Sequence, residues 1–545
     1  MSRDDLASAG SRLPLLGTAA ADEIDSGAVG AKAANLMVMA DAGLPVPPGF
    51  VLGTEVCADY HRRGGQLGAN VADLVRQGIG HLERATGRRF GGGRRPLLVS
   101  VRSGAAVSMP GMLDSVLDIG LCDSTLPGLL RATGDPVFVW DSYRRLIQSY
   151  AEVAGHCPAA PFAAVLAAAL SRHGVPAVAE LDVSALREVA GELQSVYQSV
   201  VGRPFPQDPM RQLLGAVEAV LQSWNADRAV EYRRLQNLGH LQGTAVTVQA
   251  MVFGNLGVTS GSGVGFTRDP ATGENRLFVD FLLDAQGDDV VGGRYSAPDP
   301  EALIGVVPGL GRNLQAARRT LEAIFRDAQD FEFTVEEGKL WLLQARAAKR
   351  TPWAALQIAS DLVDEGVIDQ ATALERLRSY DLDDISRTGF GDGARPGPIG
   401  HGTPASHGAA SGRIALDVPT ALREAERHDP VILVRAETST EDIAALAVCQ
   451  GLVTGRGART SHAAVIARQL GIACLVNCGS LSIDLSARRL RIGDVPLAEG
   501  DQVTVDGTAG AIYPGALELT EERPTELISR VRGWQHQQGS SISRR

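Results

Sequence analysis

Lysine is almost missing from this 545-residue chain. Lys32, Lys339 and Lys349 are all there are, and the other 49 of its 52 basic residues are arginine. A sequence that writes Arg for any generic positive charge marks each surviving Lys as a place where a compact ammonium serves better than a fork. The same scarcity excludes a Walker A phosphate loop, because no Lys stands in its G-x-x-x-x-G-K-[ST] frame. Cysteine is sparse as well: six residues in so long a chain make no disulfide framework. Cys474 and Cys478 lack a second pair and read as core residues rather than zinc ligands. No apolar run approaches the roughly 18 residues of a membrane span. The longest stretch, from Phe162 to Leu170, reads as a short Ala-rich helix face. The polar start at Ser2 to Asp5 is followed by no signal-type apolar core, so the expected location is the cytoplasm and no membrane partner is expected. A net charge of −11 argues against binding a nucleic-acid backbone by bulk charge, and an anionic ligand would need local basic groups.

At roughly 150 residues per domain the length accommodates three or four units. Residues 1–350 mix β-rich runs (Pro96 to Val101, Thr244 to Phe253, Leu340 to Gln344) with helical stretches (Trp140 to Val153, Phe162 to Arg172, Asp208 to Trp224), an α/β pattern with a helical insertion at about 121–205. Residues 351–398 read as a helical linker ending in a hinge of Gly389, Gly391, Gly393, Pro396, Gly397 and Pro398. Residues 399–515 alternate short strands with Gly turns, and 516–545 form a polar tail with one helix and a frayed end.

Chemistry concentrates at four places. Gly451 to Val476 reads as strand, Gly and Arg turn, Thr460, Ser461, His462, helix, Gly471 stop and strand. His462 then stands at a helix N-terminus, where backbone N–H groups meet an anion carried on its ring. A neutral imidazole is a nucleophile near pH 7; capping or packing is the bland alternative. Lys32 follows the Gly-rich Ser26 to Ala31 at a helix start, a phosphate-binding position or else a solvent-facing lysine. Arg102 ends an apolar strand before Met109-Pro110-Gly111-Met112, placed to clamp phosphate oxygens. Asp330 and Glu332 alternate on one strand face, with Gln344 on the returning strand after the Glu337-Gly338 turn. That set suits Mg²⁺ and nucleotide, or forms a polar outer face. Gly261-Ser262-Gly263-Val264-Gly265 reads as a hairpin turn rather than a phosphate loop.

Taken in order, these pieces cease to be generic. Gly30-Ala31-Lys32-Ala33-Ala34-Asn35-Leu36, Ser100-Val101-Arg102-Ser103-Gly104-Ala105 through Asp114, Met251-Val252-Phe253-Gly254-Asn255 through Phe266-Thr267-Arg268-Asp269-Pro270, Asp330-Phe331-Glu332-Phe333, Leu343-Gln344-Ala345-Arg346, Glu437-Thr438-Ser439-Thr440-Glu441-Asp442 and Thr460-Ser461-His462-Ala463-Ala464-Val465 closely resemble the pyruvate phosphate dikinase family. The Met-Pro-Gly-Met loop is similar to the dikinases rather than to phosphoenolpyruvate synthase or rifampicin phosphotransferase. The resemblance implies an α/β multidomain fold: an ATP-grasp nucleotide domain with a helical subdomain, a helical linker and a swivelling phosphohistidine domain.

It also implies that His462 takes the β-phosphate of ATP through a pyrophosphoryl intermediate whose terminal phosphate passes to inorganic phosphate. Lys32, Arg102, Asp330, Glu332 and Gln344 would bind ATP and Mg²⁺, with Asp330 and Glu332 as the metal ligands. Asp280 and Asp288 stand where the family usually has Glu, Arg346 follows in the matched strand, and Thr460 matches the threonine phosphorylated in plant members. Two departures touch the phosphohistidine: Ala405-Ser406-His407-Gly408-Ala409 replaces a Ser-Pro-Gly turn, and Arg459 replaces a Met. The family's (β/α)₈ barrel for pyruvate or phosphoenolpyruvate needs some 200 residues or more. The stretch after 515 is far shorter. The expectation is therefore a phosphotransferase that hands phosphate to a separately encoded barrel protein. The alternatives are another small-molecule or protein acceptor, or a non-catalytic nucleotide-binding regulator.

Overall fold

A computed structural model describes residues 13–17, 25–107, 109, 113–291, 304–391, 395–438, 442–459 and 461–542. The chain folds as two compact units, residues 1–256 with 341–344, and residues 257–340 with 345–545.

The first unit is built on a five-stranded antiparallel sheet in the order Leu15–Leu16, Gly49–Leu52, Ala245–Ala250, Val99–Gly104, Ser115–Ile119. The apolar runs expected near Pro96 and Thr244 supply its central pair, both buried along their length apart from Arg102 and Ser103. The helical insertion extends further than its sequence estimate. Helices Leu126–Thr133, Pro136–Val153, Ala159–His173 and Val183–Val201 are followed by Pro209–Ser223 and Asp227–Leu235. Their starts follow from sequence: Asp135, Asp182 and Asp208 each accept a backbone N–H from the first turn. Tyr150, Tyr197 and Phe205 close the helical core edge to face or tilted, with centroids 5.5 to 6.4 Å apart.

In the second unit the strand Gly261–Phe266 lies between Phe278–Leu283 and Gln329–Glu336, antiparallel to both. This corrects the reading of Gly261 to Gly265 as a hairpin turn. A Cβ at Gly261, Gly263 or Gly265 would meet the rings of Phe281, Phe333 and Phe331 at 2.4 Å, so the glycines make room for phenylalanines from neighbouring strands. Helix Leu310–Phe325 follows, then the linker helices Pro352–Asp364 and Gln370–Leu377.

Residues 400–514 form an eight-stranded sheet in the order Gly400–His401, Ala511–Pro514, Gln502–Asp506, Ala409–Ala415, Val431–Arg435, Gly451–Thr454, Ala473–Val476, Thr403–Ser406. The run from Ala409 to Val476 is parallel. Gly389 of the proposed hinge and much of the described tail take regular structure. Gly389 belongs to the strand Arg387–Phe390, which pairs antiparallel with Leu519–Glu522. Beyond it, helix Thr525–Ile542 buries Ile528, Val531 and Trp534 among the linker helices. Gly393 lies outside the described residues.

Candidate functional site

In the first unit, Gly30 ends the short helix Ser26–Val29 and opens Ala31–Asp41, so Lys32 falls in the first turn of the longer helix. Gly30 has φ +80°, and a Cβ there would sit 2.1 Å from the Gly104 carbonyl oxygen. Only glycine allows that approach. The Ala31 N–H then donates to the Ala105 carbonyl at 3.0 Å. The lysine helix is thereby fastened to the end of the strand that carries Arg102, and both side chains are half-buried. Gln344 lies in the part of strand Lys339–Ala347 that belongs to this unit, where the Leu342 N–H donates to Pro45 at 2.7 Å.

The second unit gathers the acids. Glu332 and Asp280 are both register partners of Val264, and Asp330 is the partner of Phe266. Opposed residues of an antiparallel pair share a face, as do residues two apart on one strand. Asp280, Glu332 and Asp330 therefore occupy one face of the sheet, with Phe266 and Phe278, while Phe281, Phe331 and Phe333 fill the other. Asp330, 2% exposed, accepts from Arg346 Nε at 2.8 Å through Oδ2, but its buried Oδ1 has no partner. Burial pushes its carboxyl above the usual carboxylate range, against the pull of Arg346. Asp280 is hydrogen-bonded through one oxygen only: Oδ1 accepts from Arg459 at 2.8 Å and the buried Oδ2 is unpaired. Asp288 lies in the short helix Gly287–Val291.

His462 begins the helix His462–Leu470, beyond the C-terminal end of the parallel strand Gly451–Thr454. Ser461 caps that helix by accepting the Ala464 N–H at 3.4 Å, and Gly471 closes it with φ +71°. Open α/β sheets bind ligands off the C-terminal ends of their strands, and a helix N-terminus there favours an anion. Thr460 lies outside the described residues.

Sequence reasoning missed how the histidine helix meets the acidic face. Arg459 engages Asp280, and Arg468, 1% exposed, lies with its guanidinium 5.1 Å from the Phe266 ring. The available signal was an arginine at 468 on the same helix face as buried Ala464 and Ala467. His407, in the turn that replaces Ser-Pro-Gly, is half-buried. Burial holds its imidazole below the ordinary range, opposed by Asp269 and Asp506 and assisted by Arg276 and Arg387.

Among the described residues no group of three His, Cys, Asp or Glu side chains forms a ready-made metal cage. Mg²⁺ does not require one, because it is commonly held by one or two carboxylates plus substrate phosphates and water. Two buried carboxylate oxygens without partners on one sheet face fit that habit. Nor is any helix among these residues long and apolar enough to cross a membrane.

Comparison with known proteins defines the class first. Residues 66–302 match the model for the pyruvate phosphate dikinase AMP/ATP-binding domain, and 427–510 match the PEP-utilising enzyme mobile domain. The chain is 43% identical over 509 residues to pyruvate, phosphate dikinase of Clostridium symbiosum and 41% identical over 522 residues to that of Rhizobium meliloti (strain 1021), covering 93% and 94% of this chain. Pyruvate, phosphate dikinase 2 of Zea mays is 41% identical over 494 residues, 90% of this chain. The chain belongs to the pyruvate phosphate dikinase family. It spans 58% of the length of the Clostridium and Rhizobium relatives and 56% of the maize one.

Proposed function

We propose that this chain carries the ATP- and phosphate-dependent half of a dikinase reaction, with His462 as the phosphoryl carrier, an ATP-grasp nucleotide domain in residues 1–350 and a swivelling phosphohistidine domain in 399–515. The observation that carries the reading is the histidine at a helix N-terminus, in the same compact unit as a sheet face bearing Asp280, Asp330 and Glu332 with two unpaired buried oxygens. A neutral ring nitrogen of His462 attacks the β-phosphorus of ATP. The bond to the oxygen bridging the α- and β-phosphates breaks and AMP departs. An oxygen of inorganic phosphate then takes the terminal phosphoryl group, releasing diphosphate and leaving phosphohistidine.

Such a transfer asks the protein chiefly for positioning and charge neutralisation. Lys32 and Arg102 supply fixed cations for the phosphates, the ammonium as a point charge and the guanidinium as a fork. Gln344, Asp280 and Asp288 bind the nucleotide, and Arg346 holds Asp330 in place. Asp330 and Glu332 would hold Mg²⁺, which supplies further neutralisation of the donor's phosphates when bound. The backbone N–H groups behind Ser461 receive the anion on the ring. Thr460 is the position for control by phosphorylation. Passage of the phosphate to pyruvate, giving phosphoenolpyruvate, draws on a (β/α)₈ barrel outside these residues, in the same polypeptide or a separate one.

The test is incubation with Mg²⁺ and ATP labelled at the β-phosphate, with and without inorganic phosphate, for the parent protein and His462→Ala. Acid-labile, alkali-stable label on the parent alone is the expected result. Adding a barrel protein and pyruvate should then discharge it as phosphoenolpyruvate. Label that persists with pyruvate and a barrel but discharges to another acceptor would redirect the second half. Nucleotide binding with no label under any condition would leave a regulatory nucleotide-binding protein.

A further inference from the structure

Arg459 stands three residues before His462, and its guanidinium grips the acidic sheet in three ways. Nε donates to Asp280 Oδ1 at 2.8 Å, Nη2 donates to the Val279 carbonyl at 2.9 Å, and the guanidinium lies 4.1 Å from the centre of the Phe278 ring. A fork held by two hydrogen bonds and a stacked ring has one orientation, which a lysine cannot reproduce. Arg468 fixes Arg459 from behind. Its Nη2 donates to the Arg459 carbonyl, and its Nε donates to the Ala464 carbonyl at 3.3 Å, one turn up the histidine helix. Three residues of chain reach no further than about 11 Å, so a fixed Arg459 confines the backbone of His462 to a small region.

We propose that Arg459 is a positioning residue for phosphorylation of His462, a pin that sets the N-terminus of the histidine helix in register with the carboxylate face of the 257–340 lobe, backed by Arg468. The inference rests on the reading of His462 as the carrier. Two features suit a contact that forms and releases. The Arg459 and Asp280 side chains remain 18% and 12% exposed, so parting strands neither charge wholly away from water. Arg459 also takes only one oxygen of Asp280 and leaves the other free for a ligand.

The test uses the full chain and three variants. Arg459→Met keeps length and contact with Phe278 but removes the charge, Arg459→Lys keeps the charge without the fork, and Arg459→Ala removes both. Single-turnover labelling of the histidine from β-labelled ATP is followed across ATP concentrations. In parallel, nitroxide labels on Ala323→Cys and Ser482→Cys, both exposed positions, report the distance between the lobe and the histidine-bearing fold. The six native cysteines are buried and leave the added thiols to react. Arg459→Met should slow the first turnover about tenfold or more, as loss of alignment does. ATP half-saturation should stay within about twofold, the inter-label distances should broaden, and the Lys variant should fall between. Unaltered turnover in Arg459→Met overturns the proposal, as does a rise in half-saturation with the maximal rate intact, which would make Arg459 a nucleotide ligand. Should the parent take no label, the carrier reading fails by itself. The distances then decide the pin: broadening sustains it as a docking contact, and an unchanged distribution overturns it.

Discussion

Two buried arginine and carboxylate clusters of the second unit differ in how completely their oxygens are used. Around Arg268, which is wholly buried, every carboxylate is occupied. Glu322 takes Nε and Nη2 at 3.0 Å each, and Glu365 takes Nη2 at 2.6 Å on one oxygen and Asn275 at 2.8 Å on the other. Asp361 takes Gln357 at 2.8 Å and faces Arg268 Nη1 at 3.7 Å. This network ties the end of a central strand to helix Leu310–Phe325 and to the linker helix Pro352–Asp364. Around Arg346 and Arg459, Asp330 and Asp280 each use one oxygen and keep the other buried and bare. A buried polar atom without a partner costs free energy that evolution tolerates where something else arrives to satisfy it. The carboxylates separate the two clusters, since on the Arg268 side only the buried Nη1 lacks a hydrogen bond, and on the proposed reading the bare oxygens of the other are kept for a ligand.

Changes to the two clusters should therefore fail in opposite ways. The largest effect on stability is expected from Arg268→Met, which strands Glu322 and Glu365. Denaturant unfolding should show a loss of about 3–5 kcal/mol, while the folded fraction still binds nucleotide. Next, Mg²⁺ with ATP at about a hundred times its Kd should stabilise the parent by roughly 2.7 kcal/mol. That gain should disappear in Asp330→Asn and on chelation of Mg²⁺, and its persistence in Asp330→Asn would remove the carboxylate from the site. Without ligand, Asp330→Asn should unfold within about 1 kcal/mol of the parent, because a neutral amide escapes the desolvation that already burdens the buried carboxyl. A loss as large as that of Arg268→Met would erase the distinction.

The smallest effect is expected at His407. Its imidazole titrates below the ordinary 6.5 because it is buried, so the unfolded chain binds the extra proton first. Its contribution to stability is full above about 6.5 and is lost as pH falls from there through the folded value. His407→Asn should flatten that part of the stability profile, measured by urea unfolding at a series of pH values.

Much of this was legible along the chain because the signals are local. Ser461 and Gly471 bracket the histidine helix with ordinary cap chemistry, and the alternation of Asp330 with Glu332 places them on one face before any sheet is known. The misreadings arose where the deciding contact is distant in sequence. Glycines 261, 263 and 265 resemble a turn until Phe281, Phe331 and Phe333 are seen to occupy the space. Gly389 resembles slack until Thr520 is found beside it. Arg459 registered only as a departure from a family pattern, since its partner Asp280 is 179 residues away.

The paired strands Arg387–Phe390 and Leu519–Glu522 carry the polypeptide into and out of the histidine-bearing fold side by side. Two plies hydrogen-bonded edge to edge, about 4.8 Å apart, make a flat strap. It flexes readily across its thickness and resists bending in its own plane. If the fold swivels as proposed, its arc is guided, as a leaf spring guides a load, rather than left to wander on a string. Cutting one ply would keep the load attached and lose the direction of travel.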